Sequence, residues 1–193
     1  MTNENLTELL KACQELSSDT PKGPKIEAGL YAAKIIGIQE TSQEFDGKES
    51  PAYRLLIQYK DDADKAWTVV SKAMKVSLHE KSNFAKTIAK WLGVANTPGT
   101  IYRGLVENGL TDEEGGIEWK TWLGRDISVM LDNVPSKKDP EKTYVQLIGI
   151  HALGSKMTPI EVEPCELPSW FNTDYSKPVV DTVLMDGFTI KQA

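Results

Sequence analysis

Cysteine pairs, histidine clusters, glycine-rich phosphate loops and long apolar runs are all missing from this 193-residue chain. No stretch approaches the ~18 apolar residues of a membrane span. The first residues, Met1 to Asn5, have no basic head and soon meet Glu8, so no secretory signal is expected. The two cysteines, Cys13 and Cys165, lie far apart and outside any metal-type spacing, which points to a reduced, cytoplasmic setting rather than a disulfide framework. His79 and His151 are the only histidines, too few to build a metal site without further ligands. Asp61-Asp62-Ala63-Asp64 lacks the glycine and distal glutamate of a cation loop and reads as a solvated turn. With no nucleophile motif or phosphate loop, nothing asks for an enzyme, a metal or a cofactor.

What is present is acid at both ends. The formal net charge is -6, made of -3 in residues 1–21, -4 in residues 161–193 and +1 in between. The middle of the chain is therefore free to present a basic face. Three segments follow from composition: an N-terminal helix and linker over 1–25, a main domain over 26–156 and a C-terminal extension over 157–193. Leu6, Leu9, Leu10, Cys13 and Leu16 predict an amphipathic helix from about Asn5 to Ser17, with Cys13 a small buried hydrophobe.

The middle alternates like a set of strands. Gly29–Thr41 predicts a first strand, with Tyr31, Ala33, Ile35 and Gly37 on one face and Lys34, Ile36 and Ile38 on the other. Gln39–Pro51 is a polar loop with a turn at Asp46-Gly47. Ala52–Lys60 predicts a second strand whose Tyr53, Leu55, Ile57 and Tyr59 face one way. Trp67–Leu78 predicts a third, with Val70, Met74, Val76 and Leu78 inward and Trp67, Ser71, Lys75 and Ser77 outward. The clearest helix follows. Ser77 and Glu80 fit a capping box, Phe84, Ile88, Trp91 and Leu92 form one apolar stripe, and Gly93 is the expected stop. Val94–Trp122 is broken by Thr97-Pro98-Gly99 and Glu114-Gly115-Gly116, and Ile101–Asn108 could form a short helix. Ile127–Val134 and Thr143–Leu153 predict the last two strands, joined by the basic hairpin Pro135–Pro140. From Gly154 the chain reads as extended, with one turn of helix around Pro168–Asn172. Three strands, a helix and two strands is the element order of a five-stranded oligonucleotide-binding (OB) barrel, mainly β with a helix between strands three and four.

At Ser71-Lys72, Val76-Ser77-Leu78-His79-Glu80-Lys81-Ser82-Asn83 and Trp91, the chain resembles a family of bacteriophage and prophage single-stranded DNA-binding proteins. Gly29-Leu30-Tyr31, Leu123-Gly124, Lys142-Thr143-Tyr144 and Leu167-Pro168-Ser169-Trp170 add to the resemblance, which covers roughly residues 27–171. Met74 departs from it, standing where an aromatic is common, as do the N-terminal helix and C-terminal tail. The resemblance implies a single OB-fold barrel and sequence-nonspecific binding of single-stranded DNA in phage replication or recombination. The implied location is the host cytoplasm.

Such binding needs a positive groove for phosphates and aromatic faces for bases. In an OB fold the ligand lies across strands two and three, between the loops joining strands one–two and four–five. The candidates are Lys34 on the first strand, Phe45 in the first loop, Arg54 on the second strand, and Trp67, Lys72 and Lys75 on the third. Lys137 and Lys138 on the hairpin, with Lys142 and Tyr144 at the start of the fifth strand, complete the set. Trp91 is core, and His79 is a hydrogen-bonding residue at the helix start. Partners beyond DNA include replication or recombination proteins, and homo-oligomerisation is left open. The acidic ends leave an alternative, an OB module that recruits a replication, recombination or host-defence protein. The C-terminal tail fits a partner-docking segment, a self-association strand or an ordered wrap equally.

Overall fold

A computed structural model describes residues 24, 26–45, 47–135, 143–164, 166–167 and 179–190. The expected N-terminal helix, both cysteines, the tip of the basic hairpin and the turn near Pro168 lie outside the described residues.

The strand-forming stretches pair antiparallel in one sheet. Strand β1 is Gly29–Phe45, β2 Lys48–Lys60, β3 Ala66–Val70, β4 Asp126–Pro135 and β5 Thr143–His151. Their order across the sheet is β3-β2-β1-β4-β5. Among the described residues no ladder joins β3 to β5, so the sheet is open and the expected closed barrel is corrected. The reason lies in β3, which ends at Val70 instead of Leu78. Beyond it only Met74 makes an isolated bridge, to Tyr53 of β2.

A bulge decides which side chains face inward. The β1–β2 register shifts between Ile35 and Gly37, so Ile36 is the extra residue and the alternation of β1 inverts after it. Ala33, Ile35 and Ile38 therefore all join the main core, with Leu55, Ile57 and Tyr59 of β2. The expected grouping of Ile38 with Lys34 and Ile36 is corrected. Ile36 turns to a second, smaller core with Leu56, Leu167 and Phe188. β1 contributes buried residues on both faces, because described residues of the C-terminal extension cover its outer one.

The described residues of that extension wrap the sheet. Strand β7, Val179–Leu184, pairs with Gly37–Thr41 of β1. Strands β6 (Glu166–Leu167) and β8 (Thr189–Ile190) form a separate parallel pair. Gly37 sits where β7 passes: a Cβ there would lie 2.7 Å from Leu184 Cδ2, 2.9 Å from Leu56 Cδ1 and 3.2 Å from the Val183 carbonyl oxygen. Gln58 exchanges two hydrogen bonds with the backbone of Glu163, and Lys60 pairs with the Glu163 carboxylate at 3.0 Å.

Between β3 and β4 the chain forms two helices and a 3₁₀ turn; the second helix takes in most of the stretch Ile101–Asn108 that could form a short helix, and starts earlier, at Pro98. Helix α1 is Asn83–Leu92, α2 is Pro98–Glu107 and the turn is Trp119–Trp122. α1 begins later than Ser77 and Glu80 suggest. Ser82 is its N-cap, accepting from the Ala85 amide at 2.9 Å, while its own hydroxyl donates to the Ser77 carbonyl at 2.6 Å. Gly93 ends it in the left-handed conformation at φ 67°, as expected. Phe84, Ile88 and Trp91 are buried and hold the helix on the main core. Trp122, fully buried, has Trp91, Phe84 and Trp119 around it, with ring centroids 4.9, 6.3 and 4.7 Å away. Tyr53 then stacks on Trp119 at 4.3 Å, tying β2 to this aromatic group. No helix among the described residues is long and apolar enough to cross a membrane.

Candidate nucleic-acid interface

The unpaired edges of β3 and β5 face each other across a cleft. Val69 to Lys72 line one side and Tyr144 to Leu147 the other, enclosing about 240 Å³. Below it the space widens to a second section of about 330 Å³, bounded by Lys72, Met74, the β5 residues Gln146–Ile150 and one side of α1. Helix α1 contributes Asn83, Lys86, Thr87 and Lys90, a stripe at i, i+3, i+4 and i+7 that lies opposite its buried face. The Lys90 carbonyl accepts from the Ala152 amide at 3.2 Å, which fixes the end of α1 beside β5.

The charge of this seam is one-sided. Lys72, Lys86 and Lys90 are exposed lysines, and among the described residues no carboxylate lines either section. Among the described residues none of the three forms an ion pair. Tyr144 and Ile148 stand 49% and 51% exposed on β5, which leaves a ring and an apolar side chain open to a planar ligand. Lys90 reaches one more group: its charge, after burial, holds the His151 imidazole below its usual pKa.

A further cleft of about 730 Å³ lies on the other side of the segment 73–83. Lys75, His79, Lys81, Ser77 and Gln43 line it together with Ala73 and Met74, and among the described residues no carboxylate does. Met74 and Asn83 border both this cleft and the seam.

The expected site residues divide accordingly. Lys72 and Tyr144 meet across the seam, and Lys75 lines the adjoining cleft, donating to Ser50 Oγ at 3.1 Å. Trp67 does not face outward. Its cross-strand partner is Tyr59, so both turn to the main core, and its Nε1 donates to Asp61 Oδ2 at 2.8 Å beneath Lys65. The expected facing of β3 is inverted there: Trp67 and Val69 pack on the main core and Val70 on the second. Met74 and Leu78 do reach the main core, but from the loop, while Val76 is exposed. Lys34 is tied to Asp126 at 2.9 Å on the outer face of β1, away from the seam. Arg54 lies half-buried on the outer face of β2, opposite Gln39, the face whose Leu56 and Gln58 the C-terminal wrap covers. The side chain of Phe45, and Lys137, Lys138 and Lys142, lie outside the described residues.

The helix lysines were missed by the sequence reading, although a signal existed. Lys86 and Lys90 stand four apart on the polar side of α1, the complement of the Phe84–Ile88 stripe. What the sequence could not supply was the proximity of that side to β5. His79 does serve the start of α1: its Nδ1 accepts from the Lys81 amide at 3.2 Å. No protein-family model matches this chain, and no curated protein matches it.

Proposed function

We propose that the chain is a sequence-nonspecific single-stranded DNA-binding protein whose ligand lies in the seam between β3, β5 and α1. The observation that carries this reading is a cleft whose described lining holds Lys72, Lys86 and Lys90 and no carboxylate, beside the exposed Tyr144, in a chain of net charge -6. Unpaired cations that follow a narrow groove suit phosphates, and an exposed ring suits an unstacked base. Base stacking on Tyr144 requires a strand whose bases are free.

The fold is in keeping with this. The strand order β3-β2-β1-β4-β5 is that of a partly open OB fold, with the helical insertion where the plug helix of such folds lies. The resemblance of the Ser77–Asn83 run to phage single-strand binders points the same way, and a role in phage replication or recombination would follow from it. Filter binding of labelled poly-dT across a salt series tests the proposal. Micromolar or tighter binding that weakens as salt rises is the expected result, and no retention at about 50 mM salt, where phosphate contacts are strongest, would sink it. In that event the alternative of an OB-type recruitment module takes its place.

A further inference from the structure

We infer that the cleft around Lys75, His79 and Lys81 is a second single-strand subsite. It would take the continuation of a strand that leaves the seam over Met74 and Asn83. The inference rests on the single-strand reading of the seam and extends it to a path and a footprint.

Four observations converge on it. The two clefts share a wall, since Met74 and Asn83 border both, so a strand leaving one reaches the other by passing over that wall beside the exposed Asn83. That wall is rigid. The Tyr53 and Met74 backbones exchange two hydrogen bonds of 2.9 Å, and Ser71 is bound to Leu55 through both its amide and its hydroxyl. The far side of the cleft is equally pinned, by Ser82 on the Ser77 carbonyl and by Asn96 Nδ2 on the Glu80 carbonyl at 2.8 Å. Preformed walls spare a ligand the cost of ordering them.

The chemistry of the lining then selects the ligand. The half-buried Ala73, backed by the buried Met74, gives the cleft an apolar patch that suits a base, and the exposed Lys75 and Lys81 suit phosphate oxygens. Lys75 is held toward Ser50 at 3.1 Å, and both lysines are exposed, with no carboxylate among the described lining residues. A volume of about 730 Å³ is within the ~300–1,000 Å³ of small-molecule sites and exceeds the 330 Å³ of the lower seam. The Ser77–Asn83 run thereby gains a role of its own: it forms one wall of a binding cleft as well as leading into α1.

Fluorescence anisotropy with labelled dT of two lengths tests this on the full chain. Oligomers of about 6 and about 30 nucleotides lie near the lower end and well beyond the upper end of the ~4–16 nucleotide footprint of an OB fold. Each phosphate contact on a single strand contributes about 0.7 to the slope of log K against log salt. Lys75→Ala with Lys81→Ala should lower the slope for the long oligomer by about 1.4, or about 25-fold in affinity at 0.1 M relative to 1 M salt. The short oligomer, held by the seam, should stay within about two-fold, and Lys86→Ala with Lys90→Ala should weaken both lengths. Lys81→Ala alone, which leaves the Lys75–Ser50 bond intact, should show about half the slope change. Wild-type slope and affinity for the long oligomer in the Lys75/Lys81 variant would overturn the inference while leaving the seam reading in place. Equal weakening of both lengths would overturn it too, by placing these lysines in one site with the seam. Failure of the wild-type chain to bind either length would remove the seam reading itself, and the inference with it.

Discussion

Replacing Lys72, Lys86 and Lys90 together with alanine isolates the charge of the seam from the stability of the fold. All three side chains are exposed, and none is paired with a carboxylate among the described residues. Surface changes of this kind usually stay within about 0.5 kcal/mol each, so the melting temperature should move little. The effect on binding should be large. Three lost phosphate contacts, at about 0.7 each, lower the salt slope by about 2.1 and the affinity at 0.1 M by roughly 100-fold relative to 1 M salt. Anisotropy titration of labelled poly-dT at four or five salt concentrations reads both quantities. A triple variant with an unchanged slope would refute the placement of the strand in the seam, whatever its affinity. A change in slope with no change in melting temperature is the signature that only lost contacts produce. The Lys90 change carries an internal check: because its charge helps depress His151, Lys90→Ala should raise the His151 pKa toward the ordinary value in an NMR titration.

Three more outcomes follow from the packing. The depressed His151 should make stability fall as pH drops below 6.5, since the unfolded chain then binds the proton that the folded chain resists; urea midpoints from about pH 7.5 to about pH 5 should decline, and His151→Gln should flatten that decline. Gly37→Ala should cost about 1–3 kcal/mol, because the new Cβ meets Leu184, Leu56 and the Val183 carbonyl where β7 crosses β1; an unchanged urea midpoint would mean that β7 does not pack there. Phe188→Ala should cost about 3 kcal/mol through the second core, and truncation before Val179 should destabilise the fold for the same reason; a truncated chain with wild-type melting would show the wrap to be dispensable.

Much of the fold was legible in local pattern. The alternation in Ala52–Lys60 placed Tyr53, Leu55, Ile57 and Tyr59 together, and they do share the main core. The Phe84–Ile88–Trp91 stripe and Gly93 marked helix α1 and its end, since both depend on residues within a few positions of one another. The start of α1 was misplaced because Ser77 and Ser82 are both competent caps, and only the bond from Ser82 back to Ser77 selects between them. Trp67 was turned the wrong way because a strand was extended to Leu78 through a segment that leaves the sheet at Val70.

The sequence by itself determined which residues are apolar, where strands and helices can form, and that acid gathers at the ends of the chain. Those properties are set by neighbours in the chain. Tertiary structure decided the rest: the bulge at Ile36 that gives β1 two buried faces, the C-terminal wrap that fills the outer one, and the seam left open between β3 and β5. It also brought Lys72, Lys86 and Lys90 to one cleft with Tyr144, although Lys72, just past the end of β3, and Tyr144 on β5 lie far apart in sequence. A groove is made by surfaces that meet only after folding, and so the lysines of α1 acquire a shared function that their own spacing could suggest but not assign.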